Sequence, residues 1–164
     1  MDNHVWILYV GILAIFLLGI AIYVGINEIR LNKEIEKIDE ELYRFLYNFK
    51  EITSEDFLYL RKGYSGNNYL SNEYNVPGIY ILNNNTENIC YVGQGKKVFT
   101  RVNAHFTGNG NGDVYADYKY GSAFTVRIVT LESTNYTSLN ELEREYIRLF
   151  DSYENGYNRT RGNN

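Results

Sequence analysis

Apolar and polar positions, taken in order, divide the chain into stretches of distinct character. Val5 to Ile26 carries no charged residue. As a helix rising about 1.5 Å per residue it would span the roughly 30 Å hydrocarbon core of a bilayer. Residues 5–26 therefore read as a transmembrane helix behind a short tail, residues 1–4. A cleaved signal peptide is the alternative, but the run exceeds a typical h-region, nothing basic precedes it, and no small-x-small cleavage site follows. Apolar residues then recur at Leu31, Ile35, Ile38, Leu42, Phe45, Phe49 and Ile52, at alternating spacings of four and three. This heptad stripe predicts a charged amphipathic helix over 27–60. Either it forms a short parallel coiled coil that makes a homodimer through residues 31–52, or it is a single helix packed on its own domain. Residues 61–76 lose the periodicity, gain Gly, Ser and Asn, and read as a linker.

From Pro77 the pattern changes to short strands. Ile79–Leu82 and Ile89–Val92 are apolar runs joined by a polar, Asn-rich segment, which is a hairpin signature. Residues 96–106 suit a helix with Phe99, Val102 and Phe106 on one stripe and Arg101 and His105, four apart, on another. Ala123–Leu131 supplies a third strand. The segment Thr107–Gly121 reads as a Gly- and Tyr-rich loop, either plain surface or a substrate-contacting loop. A final helix begins at Ser138, with Glu141 completing a capping box, and buries Leu139, Leu142, Tyr146, Ile147, Leu149 and Phe150. Glu143 falls on that apolar arc, where an ionised carboxylate is costly unless it is paired or holds a metal. An ion pair to Arg101 and a metal site are both open on this reading.

Composition narrows the chemistry. A single cysteine, Cys90, rules out an intrachain disulfide, and with only two distant histidines there is no thiolate or imidazole cage of the zinc type. Any metal falls to carboxylate. The net charge of −4 is unevenly spread. Residues 27–60 hold five Lys/Arg against nine Asp/Glu, whereas residues 61–164 hold eleven against ten. The acidity thus belongs to the connector, and the carboxy-terminal half is close to neutral. Arg30, Lys33 and Lys37 follow the apolar run and no Lys or Arg precedes it, which predicts a single-pass protein with its carboxy-terminal domain in the cytoplasm. The unpaired Cys90 agrees, and the sequons at Asn84, Asn135 and Asn158 would then meet no glycosylation machinery.

Gly78-Ile79-Tyr80, ten residues, then Tyr91-Val92-Gly93 resembles the paired signature of the GIY-YIG nuclease family, with Val for Ile. The likeness continues through Arg101 and His105, Glu143 within Leu139–Ile147, and Gly156-Tyr157-Asn158. Alone, Tyr80 and Tyr91 are ordinary sheet residues and Arg101 and His105 ordinary helix-surface residues; the ordered set is what carries the resemblance.

The resemblance implies an α+β fold over residues 77–160, a three-stranded antiparallel sheet flanked by helices, followed by a tail at 161–164. It implies an endonuclease that hydrolyses phosphodiester bonds in DNA, with RNA not excluded, and one Mg2+ or Mn2+ ion on Glu143. Tyr80 would assist the attacking water, Tyr91 position water or phosphate, and Arg101 stabilise the phosphate. His105 would assist proton transfer or bind phosphate, and Asn158 would close the site. Gly78, Gly93, Gln94, Lys96 and Lys97 would lie against substrate. A membrane-bound scaffold with a catalytically silent nuclease fold is the rival expectation.

Overall fold

The structure, a computed structural model, describes residues 3–48, 50–62 and 74–163. Phe49 and most of the expected linker lie outside the described residues. The chain divides into two compact units, Met1–Lys37 and Ile38–Asn164.

In the first unit the apolar run is helical throughout, as part of α1 (Asn3–Tyr47). Its large apolar side chains, among them Leu13, Phe16 and Ile26, are exposed. Among the described residues this is one helix long and apolar enough to cross a membrane, with a mean hydropathy of 2.7 over its most apolar window.

The second unit opens with the last turns of α1 and departs from the expected single helix over 27–60. Helix ends at Tyr47, and the β-branched pair Ile52–Thr53 forms a short strand, β1, before α2 (Ser54–Lys62). The Thr53 hydroxyl accepts a hydrogen bond from the Asp56 amide (3.1 Å), so a helix restarts immediately after the strand. From Ile38 onward the heptad stripe packs within the chain. Ile38, Leu42, Phe45 and Leu46 are buried in one cluster with Phe57 and Phe99. The Phe45 ring meets Phe57 and Phe99 edge-on at centroid distances of 6.5 and 5.9 Å. Ile38, Leu42, Phe45 and Ile52 are thereby unavailable as a seam for a second copy, and the domain core reaches back well before residue 77.

The sheet is four-stranded and fully antiparallel, in the order β1-β4-β2-β3, one strand more than the sequence predicts because β1 comes from the connector. β2 (Gly78–Asn84) lies at the centre and pairs along its length with β3 (Ile89–Gly95) and β4 (Phe124–Thr130). Covered on both faces, it reads as an almost continuous apolar run rather than an alternating one. On one face Tyr80, Leu82, Val126 and Ile128 pack under the end of α1, α2 and α3 (Val98–Phe106). On the other, Ile79, Ile81, Val92 and Val129 pack on α5 (Leu139–Leu149).

Two expectations change in detail. Gly112–Lys119 within the expected loop is a helix, α4, whose amino end is capped by the Asn111 side chain. Leu149 is 62% exposed, because it sits at the rim of the arc whose middle is taken by Leu142, Glu143 and Ile147. Ser138 caps α5 through the Asn140 amide.

Since Phe45 is fully buried against two other rings, Phe45→Ala should destabilise the second unit by about 3–5 kcal/mol. Denaturant unfolding of the full chain in detergent, followed by near-UV aromatic signal, measures it; a cost under about 1 kcal/mol would mean the stripe is not core.

Candidate active site

The paired strands place Tyr80 directly across from Gly93. A Cβ at residue 93 would lie 2.5 Å from the Tyr80 hydroxyl oxygen and 2.6 Å from Cζ, so the phenol occupies space that only glycine leaves. The same face of β3 carries Tyr91, whose ring lies 6.1 Å from that of Tyr80. α3 brings Arg101 and His105 over this face, one turn apart. His105 is 1% exposed, and its Nε2 is 2.9 Å from the Tyr80 hydroxyl. Gly95 leaves room for the Arg101 side chain: a Cβ there would meet Arg101 Cγ at 2.7 Å. Lys96 and Lys97 are exposed at the start of the helix.

A distant residue sets the position of α3. Asn75 accepts from the Phe99 and Thr100 amides (3.0 and 3.3 Å) and donates to the Thr100 hydroxyl (2.8 Å), while the Val98 amide donates to the Val76 carbonyl. It caps the helix that bears Arg101 and His105 from more than twenty residues away, which no local motif could signal.

Glu143 comes from the opposite layer. It is 6% exposed, and none of the salt bridges among the described residues involves it; the ion pair to Arg101 does not form. Gln94 Nε2 donates to Glu143 Oε2 (2.9 Å) and to Asn140 Oδ1 (2.8 Å). The Asn163 amide and its Nδ2 also donate to Oε2 (3.3 and 3.1 Å). Among the described residues every hydrogen bond to Glu143 ends on Oε2, and Oε1 receives none. Gln94 is thus committed to orienting Glu143.

Asn158 works on the backbone. Its Oδ1 accepts from the Val92 amide and its Nδ2 donates to the Val92 carbonyl, both at 2.8 Å, so it stands in for a neighbouring strand on the open edge of β3. The Tyr157 amide, donating to the Cys90 carbonyl (2.9 Å), extends the clamp. Asn158 therefore holds Tyr91 and Gly93 in place through their strand. Gly78 opens β2 between Gly95 and Thr130, where a Cβ would be 2.6 Å from the Val129 carbonyl oxygen.

The electrostatics follow from burial. Desolvation raises the Tyr80 phenol well above its usual range, with Tyr91 and Glu143 adding to the rise and Arg101 opposing it. Tyr91 is raised for the same first reason, with Glu143 behind it. Burial, and then Arg101, pulls His105 down to about 4. Cys90 is pushed up to about 11 by burial, which fits an inert core thiol.

No group of three or more His, Cys, Asp or Glu able to cage a metal occurs among the described residues. That donor set fits an ion held by one carboxylate and completed by water and substrate phosphate, the usual habit of Mg2+, and does not fit a metal bound wholly by protein.

An antiparallel sheet that gathers two phenols, a guanidinium, an imidazole and a buried carboxylate around one edge strand defines a nuclease of small α+β type. Residues 76–158, half of the chain, match the family model for the GIY-YIG catalytic domain, and the chain belongs to that family of endonucleases. Among solved structures it resembles the catalytic domain of the intron endonuclease I-TevI, in a mutant form, at 27% identity and a TM-score of 0.42, with 53% of this chain and 96% of that one covered. No curated protein matches it.

One consequence concerns acid stability. The His105 pKa falls from an unfolded value of about 6.5 to about 4 on folding, so between those values the unfolded chain binds the extra proton. Stability should therefore be unaffected by this group above pH ~6.5 and fall as pH drops toward ~4. Denaturant midpoints across that range measure the slope, and His105→Gln should flatten it; equal slopes in both proteins would contradict the buried neutral ring.

Proposed function

We propose that this protein is a membrane-tethered endonuclease that hydrolyses phosphodiester bonds in DNA with one divalent ion, Mg2+ or Mn2+, at Glu143. The observation that carries the reading is the Glu143 carboxylate itself. It is buried in the apolar arc of α5 without a cationic partner among the described residues, oriented through Oε2, and free of hydrogen bonds at Oε1. Burying a carboxylate this way is costly unless a cation completes it. A bound ion would act as a Lewis acid toward the phosphate and the leaving oxygen.

The chain's own groups account for the rest of the reaction. Arg101, exposed beside Tyr80, donates charge-assisted hydrogen bonds to phosphate oxygens as negative charge builds on them. Tyr80, as phenolate, takes a proton from the attacking water while the new P–O bond forms and the bond to the leaving oxygen breaks. Tyr91 positions the water or phosphate. Lys96 and Lys97, at the start of α3, attract the backbone. Gly93 and Gln94 serve indirectly, one by making room for Tyr80 and the other by holding Glu143.

The apolar half of α1 supports the tether, and the basic residues that follow it favour a cytoplasmic domain. Tethering raises the local concentration of a domain whose charge is near neutral.

Cleavage of supercoiled plasmid by the full chain in detergent, with Mg2+ or Mn2+ and with chelator, tests the chemistry. Glu143→Gln should lower the rate about 100-fold or more; a variant as active as the parent would rule out the metal assignment. Binding without cutting under either ion would favour the scaffold. For the tether, the protein should stay in the membrane fraction after alkaline carbonate washing, and release as a soluble protein would overturn it.

A further inference from the structure

The turn between α3 and α4 is built around the far side of the His105 ring. The Asn111 backbone amide donates to His105 Nδ1 at 2.9 Å. The chain comes so close that a Cβ at Gly110 would lie 2.7 Å from both Cγ and Nδ1 of His105, and Gly108 takes a φ of +85°, which favours glycine. The turn is also anchored at its end. Asn111 Oδ1 accepts from the Asp113 and Val114 amides (2.9 and 3.1 Å), and its Nδ2 donates to the Tyr157 carbonyl (3.2 Å).

We infer that the turn from Gly108 to Asn111 is a positioning device for the nuclease site: the Asn111 amide fixes His105 as the Nε2–H tautomer and makes it a hydrogen-bond donor to Tyr80. The inference rests on the reading of Tyr80 as the group that receives the proton of water. A backbone N–H only donates, so Nδ1 must present its lone pair, and a neutral imidazole then carries its one proton on Nε2. That nitrogen is 2.9 Å from the Tyr80 hydroxyl, whose oxygen is therefore the acceptor. Burial, with Arg101 beside it, keeps the ring neutral well into the acid range.

The consequence is a direction for the proton. His105 Nε2 is already protonated and takes nothing from Tyr80. Tyr91, its ring 6.1 Å away on the same face, and Arg101 are the other polar groups that act on the Tyr80 hydroxyl. Arg101 has no acceptor either, so the Tyr80 proton goes to neither His105 nor Arg101 and is released to solvent. The phenolate left behind keeps the His105 donor and the nearby Arg101 charge, which offset part of what burial costs it. It is then ready to receive the proton of the attacking water, and the account of protons closes without His105 ever changing charge.

Ring nitrogen shifts of the 15N-histidine-labelled full chain in detergent, without metal or nucleic acid, test the assignment. His4 is the one other histidine and is told apart by His4→Gln. His105 should show an unprotonated Nδ1 and a protonated Nε2, unchanged from about pH 8 to about pH 5.5. A protonated Nδ1, averaged tautomers or an ordinary titration near pH ~6.5 would overturn the inference, while the cleavage reading would still stand or fall on its own assay. Gly110→Ala should average the tautomers and slow cleavage about 100-fold. Averaged shifts with undiminished cleavage would show that the turn does not position the site. If that variant does not fold, the parent spectrum alone decides.

Discussion

The site depends on one steric exchange: the Tyr80 ring occupies the volume that a side chain at residue 93 would need. Any L-residue there would place its Cβ 2.5 Å from the phenolic oxygen, so the tyrosine of β2 and the glycine of β3 are two sides of a single contact. β2 is the central strand, buried on both faces and held by full-length pairing to β3 and β4, which leaves Tyr80 no freedom to move away. Its hydroxyl then becomes the fixed point around which His105, Tyr91 and Arg101 are set.

Fixing a phenol this deeply raises the free energy of its ionised form, and the surrounding groups pull in opposite directions. Burial, Tyr91 and Glu143 favour the neutral phenol, while Arg101 favours the anion. The His105 donor belongs with Arg101 on this balance. Glu143 is reached from the other layer of the fold, where Gln94 ties it to the strand that carries Tyr91 and Gly93. Because side chains alternate along β3, one edge strand presents the phenol to one layer and the carboxamide that orients the carboxylate to the other. Asn158 and Tyr157 occupy the open edge of that strand, so the carboxy-terminal segment contributes by keeping the strand straight and in place.

The strands and the helix around Glu143 were legible because their signals are local: apolar runs bounded by glycine, and an arc of 3.6-residue period. The signature residues could be found for the same reason, since glycine beside tyrosine records a steric requirement within one hairpin. What could not be read depends on partners distant in the chain. Ile52–Thr53 is a strand because it meets Val126 and Thr125, and the heptad stripe from Ile38 onward is core because Phe57 and Phe99 cover it. A stripe alone records that something covers it and not what. The segment after His105 looked like a loop because its glycines mask a short helix whose start is fixed by Asn111. Asn75 was hidden in a stretch whose composition announced only a linker.

Charge completes the picture of how such a domain meets a polyanion. Residues 61–164 are close to neutral, and four of their arginines are engaged with acids: Arg127 with Glu51, Arg148 with Glu145, Arg159 with Asp113, and Arg161 with Glu154. Lys96, Lys97 and Arg101 form no ion pair among the described residues, and all three are exposed at the first turn of α3. Positive charge is thus left for phosphate beside the Tyr80 hydroxyl, and Arg61, Lys119 and Arg144 are likewise outside the ion pairs among the described residues. Near-neutral charge over residues 61–164 would keep any nonspecific affinity for a polyanion modest. A domain of this kind would gain little from finding nucleic acid by charge alone. It gains more from being held where its substrate passes, which is what an apolar helix at the other end of the chain would supply.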